Sequence, residues 1–188
     1  MNKKQIWKPG NMLYPVPAVM VSCGDAAGKK NIITVAWTGT ICSDPAMVSI
    51  SVRPERFSYS MIEETGEFVI NLTTKELTFA TDWCGVKSGR DVDKFAAMNL
   101  TAAKGHALDY APIIEESPVN IECCVTEKKK LGSHDMFLAE IADVMVSEKY
   151  MNETGKFNLN ETGLVAYSHG EYFCLGEKIG KFGYSVKK

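Results

Sequence analysis

Short apolar runs separated by glycine, proline and charged residues dominate the chain, and most have the length of β-strands. Alternation is clearest in AMVSISV (46–52), where apolar residues and serines take turns. EFVINL (67–72) is rich in residues that favour strands. A further strand is predicted at 17–23, and the glycine-containing residues 24–30 form its turn into NIITVAW (31–37).

Two long apolar runs in the second half predict a β-hairpin. PVNIECCVTEKKK (118–130) and DMFLAEIADVMVSEKYM (135–151) are separated by only LGSH, a length typical of hairpin connections. We expect Lys128, Lys129 and Lys130 to lie in a solvated turn. A last apolar run, GLVAYSHGEYFCLG, follows near the end of the chain.

Short helices are predicted between the strands. FSYSMIEET is followed by Gly66, which suits a helix C-cap. Thr73 with Glu76 forms a capping box before KELTFATDW, and Ser88 with Asp91 forms a second one before VDKFAAM. These are the start signals of two further helices.

The order of these elements predicts the fold class. Six or more strands with short inserted helices, and no βαβ rhythm, favour a closed or nearly closed antiparallel barrel over a doubly wound parallel sheet. The 188 residues contain no repeat or linker. We therefore expect a mainly β protein with a single domain over residues 1–188.

Composition and charge exclude several function classes. A formal net charge of −2 argues against nucleic-acid binding, which usually needs a strongly basic face. No apolar run approaches the roughly eighteen residues that a membrane helix needs. Prolines and glycines interrupt the first 24 residues, which argues against a signal peptide. A cytoplasmic protein that binds neither membrane nor nucleic acid is expected.

Familiar chemical motifs are missing from the sequence. The six cysteines form no C-x-x-C pair, so neither a redox dithiol nor a zinc ribbon is indicated, and buried free thiols are expected. His106, His134 and His169 are far apart and are interpreted as surface or hairpin residues rather than metal ligands. Neither a P-loop nor a G-x-G-x-x-G fingerprint is present.

A hydroxyl-rich, uncharged stretch is the first candidate binding site. Backbone amides and hydroxyls along residues 34–38 can hydrogen-bond the edge of a planar heterocycle. Trp37 offers a large face for stacking. Taken alone, the stretch is more typical of a Ser/Thr-rich edge strand with a core tryptophan.

Two basic stretches are candidate anion sites. In SVRPERFSY, Arg53 and Arg56 precede Ser58 at the start of a predicted helix, and forked guanidinium donors with free helix N–H groups suit a phosphate. A solvated turn is the alternative. In CGVKSGRDVDKF, the basic residues Lys87, Arg90 and Lys94 exceed what helix capping needs, which indicates an anion site.

Together these stretches resemble the flavin reductase-like proteins with the FMN-binding split barrel, and most of all the flavoredoxin branch. The resemblance runs from YPVPAVMVSCGD through ATDWCGVKSGRDVDKF and LGSHDMF to YSHGEYFCLG. It implies a Greek-key split barrel, a homodimer, and one noncovalently bound FMN near the subunit interface. Electrons would come from NAD(P)H or from a protein or other redox partner.

The resemblance also assigns residues to the site. It implies that the isoalloxazine lies against Thr34, Val35, Ala36, Trp37 and Thr38. The ribityl chain and phosphate would follow Ser51, Val52 and Arg53. Ser58 and Tyr59 would close over the phosphate. A second wall would come from Ser88, Arg90 and Lys94. His169 would lie near the flavin or the dimer seam.

Two functions remain open at this point. The first is an FMN-dependent oxidoreductase, in which the flavin carries the chemistry and the protein supplies position and electrostatics. The second is a binding protein that stores or senses FMN. Nicotinamide recognition in this fold has no glycine fingerprint, so the sequence does not identify the electron donor.

Overall fold

The computed structural model describes residues 3–186, so both ends of the predicted domain, Met1–Asn2 and Lys187–Lys188, lie outside the described residues. Twelve strands are assigned within this range: β1 Val16–Pro17, β2 Val19–Gly24, β3 Lys30–Val35, β4 Thr38–Ser43, β5 Ala46–Val52, β6 Glu67–Leu72, β7 Ala102–Ala103, β8 Ile113–Ile114, β9 Val119–Lys130, β10 Asp135–Val146, β11 Val165–Ser168 and β12 Glu171–Cys174. The helices are α1 Phe57–Thr65, α2 Thr78–Val86 and α3 Lys94–Ala97, with single 3-10 turns at Glu148–Tyr150, Leu159–Glu161 and Tyr184–Val186. None of the helices in this range is long and apolar enough to span a membrane.

Seven strands form the main sheet, in the order β3-β2-β6-β9-β10-β5-β4. Every neighbouring pair is antiparallel. The two edge strands, β3 and β4, are consecutive in the chain and are separated only by Ala36 and Trp37. Two residues span a few ångströms, so the sheet curls until its edges meet. The predicted mainly β fold is confirmed, and β3 lies at the place where the barrel is split.

A small second sheet connects the beginning and the end of the chain. Its order is β1-β11-β12, and Val16 pairs with Tyr167. The last apolar run is therefore a hairpin, turning at His169 and Gly170, which both have positive φ. This pairing brings the amino-terminal segment beside the final hairpin.

The core has two layers that meet at β2 and β3. Inside the barrel, Val19 and Val21 pack with Ile50 and Phe68. Outside it, Met20 and Ile32 pack against α2 and α3 in a second cluster. Both faces of β2 are therefore buried, which explains its continuous apolar sequence. The outer layer holds α2 and α3 against the split edge.

The two predicted capping boxes are wrong, whereas the predicted C-cap of α1 at Gly66 is confirmed. Gly66 has φ 70° and donates its N–H to Ile62 O at 3.0 Å. Helix α2 begins later than predicted, at Thr78, with Leu77 as its N-cap and no side-chain cap. The hydroxyl of Thr73 lies 3.0 Å from that of Thr81. Helix α3 is capped by Asp93, which accepts the Ala96 N–H at 3.2 Å.

The predicted hairpin of β9 and β10 is confirmed, but the solvated lysine turn is not. Strand β9 continues to Lys130, which pairs with Asp135. Lys128 forms an ion pair with Glu63 and lies 5.5 Å from the Tyr59 ring centroid. The three lysines therefore end a strand, and Lys128 links it to α1.

Candidate functional site

Adjoining cavities form a groove along the split edge of the barrel. The strand cavity, about 140 Å³, is lined by residues 33–37 and 51–53 with Arg56 and His134. The helix cavity, about 380 Å³, is lined by Asn31, Ile33, Lys94 and residues 55–58 and 84–90. Ile33 and Arg56 line both cavities, so the two cavities lie next to each other. The groove thus collects most of the residues that the sequence assigned to the site.

A third cavity extends the groove past Trp37. This arm cavity, about 470 Å³, is lined by residues 10–13 together with Trp37, Ser51, Leu131, Ser133 and His134. Trp37, Ser51 and His134 also line the strand cavity. A molecule lying in the strand cavity would therefore have open space beside it, on the side of the amino-terminal arm.

The hydroxyl groups of the split edge are used within the protein. Thr34 donates its hydroxyl to Thr81 O, and Thr38 donates its hydroxyl to Ser49 O at 2.8 Å. The hydroxyl protons of Thr34 and Thr38 are therefore already used within the protein. The side chains of Val35 and Val52 are buried in the barrel core. What the edge strand offers a ligand is its neutral main chain.

Trp37 belongs to an aromatic cluster at one end of the groove. Its ring centroid lies 6.2 Å from that of Tyr14, which lies 5.9 Å from the ring of His169. His169 is exposed and lines none of the three cavities. Its ring contact in the described residues is with Tyr14, and its predicted place near the flavin or the dimer seam stays a prediction.

A buried serine marks the other end of the groove. Ser58, in the first turn of α1, accepts a hydrogen bond from Asn31 Nδ2 at 2.7 Å. This contact occupies a lone pair of the hydroxyl, and its O–H lies within hydrogen-bonding reach of the buried Cys23 thiol. No side chain caps α1, and no acidic residue lies in its first turn. The uncapped helix start beside this hydroxyl is suited to an anion.

Lys94 is a buried cation beside this serine. It is only 4 % exposed, and its Nζ donates to Ile32 O at 2.7 Å and to Cys84 O at 2.6 Å. Burial lowers the pKa of Lys94. No carboxylate within residues 3–186 pairs with it. An ammonium has three donors, so one is left for an anion in the helix cavity.

Three arginines surround the junction of the strand and helix cavities. Arg90 Nη2 donates to Glu55 O at 3.1 Å and so connects the two walls of the helix cavity. Ser88 supports the loop at 87–93 by accepting the Arg90 N–H at 3.2 Å. Arg56 lines both cavities, whereas Arg53 lines only the strand cavity and lies 3.6 Å from a Glu55 carboxylate oxygen.

The sequence assignment missed several lining residues. Arg56 was a candidate phosphate ligand in the SVRPERFSY stretch, but the family resemblance did not assign it to the site. Asn31 gave no signal, because a polar residue at the start of a strand is ordinary. His134 was interpreted only as a hairpin residue, yet it lines the strand and arm cavities. Burial, followed by the nearby Arg53, lowers the pKa of His134.

The structure contradicts a role for the Tyr59 side chain in the groove. Its hydroxyl donates to Asp135 Oδ2 at 2.5 Å, and its ring packs against Phe137. Tyr59 is 8 % exposed and belongs to the barrel core. The hydrogen bond to Asp135 raises the Tyr59 pKa, with burial as the second cause. Ser58 and Tyr59 therefore face different environments although they are neighbours on α1.

Comparison with known proteins agrees with this architecture. Residues 11–175 match the model of the flavin reductase like domain. A flavoredoxin of Desulfovibrio vulgaris (Miyazaki F) is 30% identical with a TM-score of 0.89, covering 98% of this chain and 100% of that one. A flavoredoxin from Methanosarcina acetivorans is 26% identical with a TM-score of 0.85 and the same coverage. These similarities confirm the predicted split-barrel fold.

One sequence relative has a name that states a reaction. This protein of Streptomyces pristinaespiralis, called NADH:riboflavin 5'-phosphate oxidoreductase, is 20% identical over 132 residues. The match covers 70% of this chain and 72% of that protein.

No disulfide joins the six cysteines in the described part of the chain. All six are free; Cys23, Cys84 and Cys123 are buried as expected, whereas Cys124 and Cys174 are exposed, contrary to the expectation. Cys84 lines the helix cavity, but burial raises its thiol pKa to about 11. The thiolate is the reactive form of cysteine, so the groove presents a neutral, unreactive thiol.

Cys84 is expected to resist alkylation. With a pKa of about 11, about one thiol in a thousand is ionised at pH 8. Iodoacetamide should modify Cys84 at least about tenfold more slowly than the exposed Cys174, as followed by peptide mass spectrometry. The rate at Cys84 should increase as pH rises toward 11. Equal rates at the two residues at pH 8 would show that Cys84 is ionised or accessible.

Proposed function

The chain belongs to the flavin reductase-like family, and from that premise we propose that it is a redox protein that binds FMN in the groove. The observation that carries the proposal is Lys94, a buried ammonium that no carboxylate of residues 3–186 neutralises. A buried charge is costly unless it is paired. A ligand phosphate in the helix cavity would supply the missing partner.

The two ends of the groove fit the two ends of FMN. At the split edge, main-chain groups of β3 and the Trp37 ring suit a flat, uncharged ring system. At the other end, Ser58, Arg56 and Lys94 line a cavity suited to a phosphate. The neutral wall of the strand cavity thus matches the flavin ring, and the cationic wall of the helix cavity matches the phosphate at the other end of FMN.

The bound flavin would supply the redox chemistry, and the protein's contribution is to hold and orient it. Lys94 is held by two carbonyl groups and Ser58 by Asn31. Arg90 fixes the loop at 87–93 by its hydrogen bond to Glu55 O. Because these donors are already fixed, little conformational freedom is lost when they meet an anion.

The arm cavity is the proposed place for the reductant. It adjoins Trp37 and His134 and has a volume of about 470 Å³, within the usual range of small-molecule sites. The name of the Streptomyces pristinaespiralis relative favours a nicotinamide donor. The flavoredoxin neighbours favour an electron-transfer protein. The cytoplasmic location expected from the sequence stays a prediction.

Purified protein is expected to be yellow and to be reduced by at least one biological donor. The test is anaerobic stopped-flow mixing of the flavin-loaded protein with NADH, NADPH or reduced ferredoxin, followed by absorbance of the oxidised flavin. Bleaching by one of them identifies the donor. Binding of FMN without bleaching by any donor would instead favour a storage or sensor protein.

FMN affinity is expected to depend on Lys94. Loss of a charge-assisted hydrogen bond costs about 1.5–3 kcal/mol, so Lys94→Met should weaken FMN about ten- to hundredfold. Riboflavin lacks the phosphate and should bind both proteins alike. Lys156→Met, at an exposed lysine outside the groove, is the matched control. Equal losses for FMN and riboflavin would indicate damage to the fold rather than a phosphate contact.

The same lysine predicts a pH dependence. Burial lowers the Lys94 pKa from 10.5, so FMN affinity should fall as pH rises through that lowered value, and Lys94→Met should abolish this fall. Stability of the ligand-free protein changes in the opposite sense. Between the lowered pKa and 10.5, Lys94 has lost its proton in the folded protein but keeps it in the unfolded chain. The free energy of unfolding therefore rises with pH across this window. Riboflavin affinity serves as the control and should stay constant over the same range.

We also propose that the chain forms a homodimer. Large apolar side chains near both ends are exposed, with Ile6 103%, Leu13 85% and Phe182 107% accessible. Exposed apolar surface of this kind is typical of protein interfaces. Residues 10–13 line the arm cavity, so a partner that covers the arm would also border the site.

A dimer is expected in sedimentation experiments at micromolar concentration. The species should have about twice the 20.7 kDa mass of the chain. Trp7→Ser combined with Leu13→Ser, at exposed positions of the arm, should shift the equilibrium toward the single chain. A wild-type sample that sediments only at 20.7 kDa would exclude the dimer.

A further inference from the structure

The arm cavity differs in charge from the rest of the groove. None of the residues of the range 3–186 that line it is Lys, Arg, Asp or Glu, whereas Arg56 lines both the strand and the helix cavities. We propose that the arm cavity binds a small, uncharged α,β-unsaturated aldehyde or ketone, which accepts the electrons of the flavin. The inference rests on the proposed function and names the class of its electron acceptor.

The neutral lining restricts what the arm cavity can hold. An ionised group taken out of water needs a charged or hydrogen-bonded partner, and phosphates are typically bound by arginine or lysine. The diphosphate of a nicotinamide dinucleotide would find no cation among the described lining residues. Burial, followed by the nearby Arg53, lowers the pKa of His134 from 6.5, so its imidazole is mostly uncharged near neutral pH. The cavity therefore suits a neutral ligand better than an anion.

Apolar side chains from two separate segments line the arm cavity. Met12 and Leu13, 63% and 85% accessible, come from the amino-terminal arm, and Leu131, 54% accessible, comes from the connection between β9 and β10. A hydrogen bond closes this connection, because the Leu131 N–H donates to His134 O at 3.1 Å. When a carbon skeleton packs against these side chains, they lose contact with water, which favours binding.

One part of the lining is polar. Ser133 Oγ lies 2.9 Å from His134 Nδ1, whereas His134 Nε2 makes no hydrogen bond within residues 3–186. A neutral imidazole has one donor nitrogen and one acceptor nitrogen. When Ser133 donates to Nδ1, the ring proton is on Nε2, which can donate it to a carbonyl oxygen. Because His134 also lines the strand cavity, this donor lies where the proposed flavin ring and the acceptor meet.

A conjugated carbonyl compound matches this lining and can take up two electrons. A hydrogen bond to its carbonyl oxygen makes the β-carbon more electrophilic. The β-carbon would receive a hydride from the reduced flavin and the α-carbon a proton from water, which leaves a saturated carbonyl compound and oxidised flavin. A nicotinamide reductant would leave before the acceptor enters, so the two molecules use the same space in turn.

The test uses two probes of nearly the same shape and different charge. Cinnamaldehyde is an uncharged unsaturated aldehyde, and cinnamate has the same skeleton ending in a carboxylate. Each probe is titrated into the full-length, FMN-loaded, oxidised protein, and binding is followed by the change in flavin absorbance. Cinnamaldehyde should bind at least about tenfold more tightly, because the carboxylate of cinnamate would lie unpaired in the neutral cavity.

A cation placed in the arm cavity should reduce this preference. Leu131 lines the arm cavity but not the strand cavity. Leu131→Lys should therefore narrow the difference between the two probes about three- to tenfold. Leu159→Lys is the matched control, because this exposed leucine lines none of the three cavities of the groove. It should keep the preference of the wild type.

Electron transfer is measured separately, on FMN-loaded protein that is reduced by light instead of by a biological donor. Anaerobic addition of cinnamaldehyde should restore the absorbance of oxidised flavin faster than with light-reduced free FMN, and should yield the saturated aldehyde. Mass spectrometry of the protein checks that the probe has not added to the exposed Cys124 or Cys174.

The outcomes separate this inference from the proposed function. Equal affinities of the two probes for wild type, or binding of neither, would overturn the inference while FMN binding stands. A preference that Leu131→Lys leaves unchanged would place the probe outside the arm cavity and so refute it. Cinnamaldehyde that binds without reoxidising the flavin also refutes it. If wild-type protein does not bind FMN, the proposed function itself fails.

Discussion

The groove depends on a topological constraint, which is that the first and last strands of a seven-stranded sheet are joined by only two residues. Ala36 and Trp37 make this connection, so the sheet has to curl until β3 and β4 meet. When the sheet curls in this way, the main chain of β3 remains at the open edge of the barrel. Helices α2 and α3 cover the outer face of the same strand, which brings Lys94 and the loop at 87–93 toward the turn at 53–56.

The buried ammonium of Lys94 gives this arrangement its chemical character. A charge taken out of water without a counter-ion opposes folding, and the two carbonyl acceptors compensate for only part of the lost hydration. A structural lysine in this place would be easy to replace by an apolar residue of similar length. Lys94 and the hydroxyl of Ser58 line the same cavity, which fits an anion as the missing partner of the ammonium.

Local patterns predicted the strands better than the site. AMVSISV and EFVINL match β5 and β6 from end to end, because alternation and strand propensity act between neighbours. The capping-box predictions were wrong because the two hydroxyls have other partners. Thr73 contacts Thr81 across the fold, and Ser88 accepts the Arg90 N–H within a turn. Ser58 and Tyr59 cannot be separated by sequence, because the direction of a helical side chain depends on where the helix docks. Asn31 acts through contact with a residue 27 positions away.

The pairing of β1 with β11 has a consequence for biosynthesis. Val16 and Pro17 find their partners in Ala166 and Tyr167, which leave the ribosome long after β2 to β10 have been made. Because synthesis proceeds from the amino terminus, the strands of the main sheet are available first. The small sheet of β1, β11 and β12 can form only afterwards. Tyr14, just before β1, is fixed against Tyr167 and His169 only then. The aromatic cluster around Trp37 is therefore completed only when nearly the whole chain has been translated.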